Sequence, residues 1–89
     1  MGSYDMYYLY ILKCADGTLY TGITLDVGRR VREHNISKTG AKYTRSRRPV
    51  ELAYEQEFKD RSAAAKEEAR IKKLSRQEKI ELFKNGSAS

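Results

Sequence analysis

The chain of 89 residues holds one cysteine, one histidine and no tryptophan. Cys14 by itself excludes an internal disulfide framework and any cysteine-built zinc site. It also points to a reducing, cytoplasmic setting. No apolar run approaches the roughly 18 residues of a membrane span. The N-terminus lacks the basic region and apolar stretch of a signal peptide, so no membrane association is expected. There is no internal repeat and no low-complexity linker. Hydrophobic residues make up 39% of the chain, too many for a disordered tail. The length predicts a single domain over residues 1–89 with an ordered core from about 6 to 84 and frayed ends. A chain this short buries roughly two-thirds of its unfolded surface, which allows one modest core. No helical seam suited to dimerisation is visible, and a monomer is expected.

What the chain has in excess is positive charge, with a net charge of +6. That excess is not spread evenly. Arg29, Arg30, Arg32, Lys38, Lys42, Arg45, Arg47 and Arg48 face only Glu33, so the stretch from Arg29 to Arg48 carries +7 and the remainder −1. A solvated face would mix signs, as Lys66 to Lys84 does. Clustered cations interleaved with Ser37, Thr39, Tyr43, Thr44 and Ser46 suit phosphate contacts. Arg29, Lys38, Lys42, Arg45, Arg47 and Arg48 are the candidate nucleic-acid footprint, with Tyr43 placed to stack on a base.

The local patterns predict an α+β fold. Tyr7 to Cys14 and Thr18 to Thr24 are rich in aromatic and branched residues and read as strands. Ala15-Asp16-Gly17 between them suits a three-residue hairpin with a left-handed glycine. That loop length pairs Cys14 with Thr18, Leu12 with Tyr20 and Tyr10 with Gly22, which puts Tyr10 and Tyr20 on one face. Gly22 would then leave that face open for a phosphate backbone. Asp26 is a good N-cap for a helix to about His34 or Asn35, whose stripe is Val27, Arg30, Val31 and His34. Ser37 to Pro49 reads as a basic loop. Glu51 to Phe58 reads as a third strand, with Leu52, Tyr54 and Phe58 alternating imperfectly. A helix starting at Asp60 or Ser62 reaches about Leu74, and Ser75-Arg76-Gln77-Glu78 has the capping-box form of another. The order β-β-α-β-α-α suggests a small three-stranded antiparallel sheet flanked by helices.

Tyr8-Leu9-Tyr10 followed by Tyr20-Thr21-Gly22, then Arg30 and His34, resembles the GIY-YIG nuclease superfamily. The stretches YLYILKCADGTLYTGITLDVGRRVREHN, GAKYTRSRRPVEL and EARIKKLSRQEK are similar to its small stand-alone bacterial members. The resemblance runs from about Tyr7 to Phe83. It implies an endonuclease that hydrolyses phosphodiester bonds of DNA with a single divalent metal, Mg²⁺ or Mn²⁺, in repair or recombination. Branched or damaged DNA is among the substrates implied, and RNA stays open.

By position, Tyr10 and Tyr20 match the two motif tyrosines, either of which serves as general base or orients the attacking water. A free tyrosine has a pKa near 10, so it needs help from a metal, Arg30 or His34 to give up a proton at neutral pH. Gly22 matches the motif glycine, Arg30 the arginine on the scissile phosphate, and His34 a second proton-handling position. The metal-binding carboxylate comes from the alanine-rich helix. Helical arithmetic puts Glu67 at the centre of the Ala63, Ala64, Ile71, Leu74 stripe and Glu68 on its flank, where a carboxylate can reach a cleft. The resemblance also places the family glutamate at Glu68. Ile80 stands where some members carry asparagine, and Ile23 where some carry lysine. The alternatives are a non-catalytic nucleic-acid-binding module that keeps the scaffold and an accessory subunit that docks on an acidic protein partner.

Overall fold

The computed structural model describes residues 6–36 and 42–85. The strands are β1 (Tyr7–Lys13), β2 (Leu19–Thr24) and β3 (Glu51–Phe58), and the helices are α1 (Val27–Ile36), α2 (Lys42–Arg45), α3 (Arg61–Lys72) and α4 (Arg76–Asn85). The sheet is antiparallel in the order β2-β1-β3. Among the described residues no helix is long and apolar enough to cross a membrane.

β1 lies in the middle, which explains its unbroken apolar run. Leu9, Tyr10, Ile11 and Leu12 are all buried because both faces of the strand are covered. Tyr10, Leu12, Cys14 and Val50 pack with Tyr20, Val27 and Val31 on one face. Leu9, Ile11 and Ile71 pack with Leu19, Tyr54, Phe58, Leu74, Leu82 and Phe83 on the other. Each fully buried aliphatic side chain contributes about 1.5–3 kcal/mol.

The hairpin follows its loop. Gly17 has φ 87°, and the Asp16 carboxylate accepts hydrogen bonds from the Thr18 amide at 3.1 Å and its hydroxyl at 2.6 Å. Leu12 therefore pairs with Tyr20 and Tyr10 with Gly22, as the loop length predicts. The helix starts are also local. Asp26 accepts from the Arg29 amide at 3.1 Å, and Asp60 accepts from the Ala63 amide at 2.8 Å. The capping box is complete, with the Ser75 amide donating to Glu78 at 2.8 Å and the Glu78 amide to Ser75 Oγ at 3.1 Å. That box ends α3 at Lys72, short of the predicted Leu74.

One expectation is corrected. The segment predicted as a basic loop contains α2, a helical turn whose Thr44 is fully buried. Lys38 lies outside the described residues. In β3, the pairing slips between Ile11↔Tyr54 and Leu12↔Leu52, so Ala53 is the extra residue of a bulge. The bulge moves Leu52 to the opposite face from Tyr54 and leaves it 40% exposed, which is why the alternation is imperfect.

Candidate active site

The site grows from the β1–β2 hairpin and the first helix after it. Tyr10 on β1 is 1% exposed, and its phenol oxygen lies 2.9 Å from Nε2 of His34 on α1. His34 is fully buried, and its Nδ1 lies 2.8 Å from Oγ1 of the equally buried Thr44 on α2. Tyr20 on β2 closes the group, with its ring 6.4 Å from Tyr10 and edge-on to His34 at 5.1 Å. Arg30, one helical turn before His34, bonds the Tyr10 phenol and forms a 2.8 Å ion pair with Glu33.

Burial governs the titration of this group. It raises the Tyr10 pKa to about 12, against the opposing hydrogen bond from Arg30 and with further upward pushes from Tyr20 and Glu68. Burial also lowers the His34 pKa to about 4, helped by the positive charges of Arg30 and Arg48 and opposed by Glu33. Near neutral pH both groups are uncharged, and a proton sits between them.

His34 therefore makes the fold sensitive to acid. The unfolded chain takes up a proton near pH 6.5, whereas the folded one resists until about pH 4. Its stabilisation is complete above pH 6.5 and is lost as the pH falls toward 4, by on the order of 3 kcal/mol. Glu33, whose pKa is lowered by its hydrogen bond from Arg30, starts to contribute only below its ordinary 4.5. Denaturant midpoints between pH 7 and pH 5 should fall in the native protein and stay flat in His34→Gln.

Gly22 does not leave an open face. A Cβ there would meet the Tyr10 hydroxyl oxygen at 2.6 Å and the ring carbon bearing it at 2.8 Å. The glycine is the floor on which the Tyr10 ring lies, so the open face expected at Gly22 is filled by the phenol. Gly22→Ala should cost about 2 kcal/mol through overpacking and lower Tm by on the order of 10 °C, measured by thermal unfolding.

The two helical glutamates have different partners. Glu67 accepts two hydrogen bonds from Arg70, at 2.9 and 2.6 Å, and its charge raises the Tyr54 pKa. Glu68 pairs with Lys72 at 3.1 Å, and its charge acts on Tyr10. The expected deep burial of Glu67 is absent, since the two side chains are 21% and 24% exposed and Ala64 and Ile71 take the buried centre. Burial does not separate them.

The basic stretch divides. Arg29 is exposed beside Glu33, and Lys42 and Arg45 are exposed on α2. Arg47 and Arg48 turn inward. Arg47 pairs with Asp16 at 3.0 Å, donates to the Tyr43 carbonyl at 2.9 Å and lies 4.1 Å over the Tyr43 ring. Arg48 donates to the carbonyls of His34 and Glu33, closing the C-terminal end of α1. Tyr43 stacks on Tyr20 at 5.8 Å, and the residue stays 39% exposed. Asn35 completes the clamp, accepting from the Val50 amide at 2.7 Å and donating to its carbonyl at 3.0 Å. Sequence reasoning missed Thr44 and Asn35. A small polar residue between aromatics and arginines was the only signal for the first.

Residues 6–81 match the GIY-YIG catalytic domain. The chain is 56% identical over 78 residues to a UPF0213 protein of Desulfotalea psychrophila, covering 88% of this chain and 71% of that protein. It is 53% identical over 78 residues to a UPF0213 protein of Halobacterium salinarum, covering 88% and 100%. Two solution NMR structures are similar. A UPF0213 protein of Bacillus halodurans has a TM-score of 0.59 and 43% identity, covering 92% of this chain and 87% of that one. A protein of E. faecalis has a TM-score of 0.62 and 48% identity, covering 89% and 83%.

Proposed function

Since this chain belongs to the GIY-YIG family of nucleases, we propose that it hydrolyses phosphodiester bonds of DNA with the help of one divalent cation. The observation that carries the reading is a buried phenol held between an arginine and a neutral imidazole. Water attacks the phosphorus, the new P–O bond forms, and the bond to the leaving oxygen breaks, that oxygen taking a proton from solvent to leave as the alcohol. Tyr10 takes the water proton as its own proton passes to His34 Nε2. Arg30 holds the scissile phosphate and offsets its growing negative charge. A phosphate on Arg30 neutralises one of the charges that hold the His34 pKa down, so substrate itself readies the imidazole to accept a proton. Tyr20, packed edge-on against His34, orients the water.

Among the described residues no three His, Cys, Asp or Glu side chains converge on a metal position. Glu68, whose charge acts on Tyr10, would hold the cation, since one carboxylate completed by waters and phosphate oxygens suits Mg²⁺ or Mn²⁺. When bound, the cation supplies positive charge to the oxygens of the reacting phosphate. The residues that prepare proton transfer are the protein's own.

The test is incubation of the purified protein with supercoiled, branched and single-stranded DNA in Mg²⁺, Mn²⁺ or EDTA. Cutting that needs metal supports the nuclease reading. Binding without cutting in every condition overturns it in favour of a module that only binds.

The divided basic stretch makes its own prediction. Lys42→Ala with Arg45→Ala should weaken DNA binding and reduce the slope of log affinity against log salt by about 2. Arg47→Ala with Arg48→Ala should instead cost about 1–2 kcal/mol of stability, because it strips partners from the end of α1 and the hairpin loop. Salt titrations and thermal unfolding of the two double variants separate these outcomes.

A further inference from the structure

The group of Tyr10, His34 and Thr44 contains one relation that the reaction above leaves unassigned. Arg30 can only donate, so its bond to Tyr10 uses a lone pair of the phenol oxygen. The phenol proton must then find an acceptor, and at 1% exposure there is little water to take it. Nε2 of His34 is 2.9 Å away, and it accepts only if the imidazole proton sits on Nδ1. Nδ1 faces Thr44 Oγ1 at 2.8 Å. Which ring nitrogen carries the proton is set by what the other one bonds. The geometry points to Thr44 as a positioning residue that accepts the Nδ1–H of His34 and so holds the tautomer that the Tyr10 proton demands, keeping Nε2 open to receive that proton.

Three features support this. Thr44 and His34 are both fully buried, so water does not compete for either atom. Arg48 fixes the backbone of His34, which holds the ring at a set depth. The short helix α2 places only Thr44 inward, while its neighbours Tyr43 and Arg45 are exposed. The titratable groups facing His34 are Tyr10 and Arg30 beside the ring, Glu33 and Arg48 through their charges, and Tyr20 at its edge.

The role in catalysis rests on the nuclease reading, but the tautomer can be read on the protein alone. His34 is the only histidine in the chain, so its ring ¹⁵N signals need no assignment by mutagenesis. At pH 7 the native protein should show Nδ1 protonated and Nε2 bare. Thr44→Ser should keep that pattern, whereas the near-isosteric Thr44→Val should shift population to the Nε2–H form. If Thr44→Val does not fold, Thr44→Ala replaces it. A native protein with Nε2 protonated, or a Thr44→Val protein with the native pattern, overturns the proposal. If the protein cuts DNA, Thr44→Val should lower kcat about tenfold at unchanged KM, and Thr44→Ser should restore it. An unchanged kcat in a Thr44→Val protein whose tautomer has shifted overturns the catalytic role. Absence of cutting in the native protein counts against the nuclease reading and leaves the tautomer result standing.

Discussion

Tyr10→Phe is expected to lower the rate of metal-dependent DNA cutting by on the order of 10²–10⁴-fold. The variant keeps the ring that lies on Gly22 and removes only the oxygen bonded to His34 and Arg30. Because that oxygen is buried, its loss also strands Nε2 of His34, at a cost of about 1–3 kcal/mol. Activity must therefore be measured well below the melting temperature, with folding checked by circular dichroism. Tyr20→Phe, which removes the hydroxyl that orients the water, is the comparison and should lose less. Its ring stacks on Tyr43 and touches His34, and both contacts survive the substitution. A Tyr20→Phe protein that loses more activity than Tyr10→Phe would reverse the assignment of base and orienting group.

The second large effect belongs to α3. Glu68→Ala should abolish stimulation by Mg²⁺ or Mn²⁺ and reduce cutting by about 10³-fold, while Glu67→Ala retains most of it. The neighbouring carboxylates are almost equally exposed, and each has a cation on its own helix. Their difference is that Glu68 acts on Tyr10 and Glu67 on Tyr54. Loss of the Glu67–Arg70 pair should leave the melting temperature nearly unchanged, since Arg70 is exposed and its ion pair is screened by solvent. Metal titrations of both variants decide the matter. The opposite pattern, with activity lost only in Glu67→Ala, would move the cation to the other side of the helix.

Much of the scaffold was legible because it is specified within a few residues. Ala15-Asp16-Gly17 sets the hairpin register, and register alone brings Tyr10 and Tyr20 to one face. Asp26, Asp60 and the Ser75–Glu78 box mark helix starts through side chains that meet amides in the next turn. The bulge in β3 was not legible, since the extra residue is an ordinary alanine and the slip is visible only against β1. Charge was legible as a quantity but not as a direction. An arginine aimed at water and one bonded to the carbonyls of His34 and Glu33 read alike in a sequence. That is why neither the anchoring contacts of Arg47 and Arg48 nor the burial of Thr44, three residues before Arg47, was legible. The need for glycine at position 22 was not legible as packing, since the Tyr10 ring that takes its missing side chain's space lies across the hairpin.

The inward turn of Arg47 and Arg48 bears on how far this basic stretch can travel. Arg47 is moored to the hairpin tip at Asp16, and Arg48 to the end of α1. Cut out as a peptide, residues 29–48 would keep the same charge but lose both moorings. Two of its arginines would then swing free and add unselective attraction to any polyanion. Grafted onto another scaffold, the stretch would carry stickiness without orientation. The arrangement belongs to the hairpin and helix together and is not portable as a linear motif.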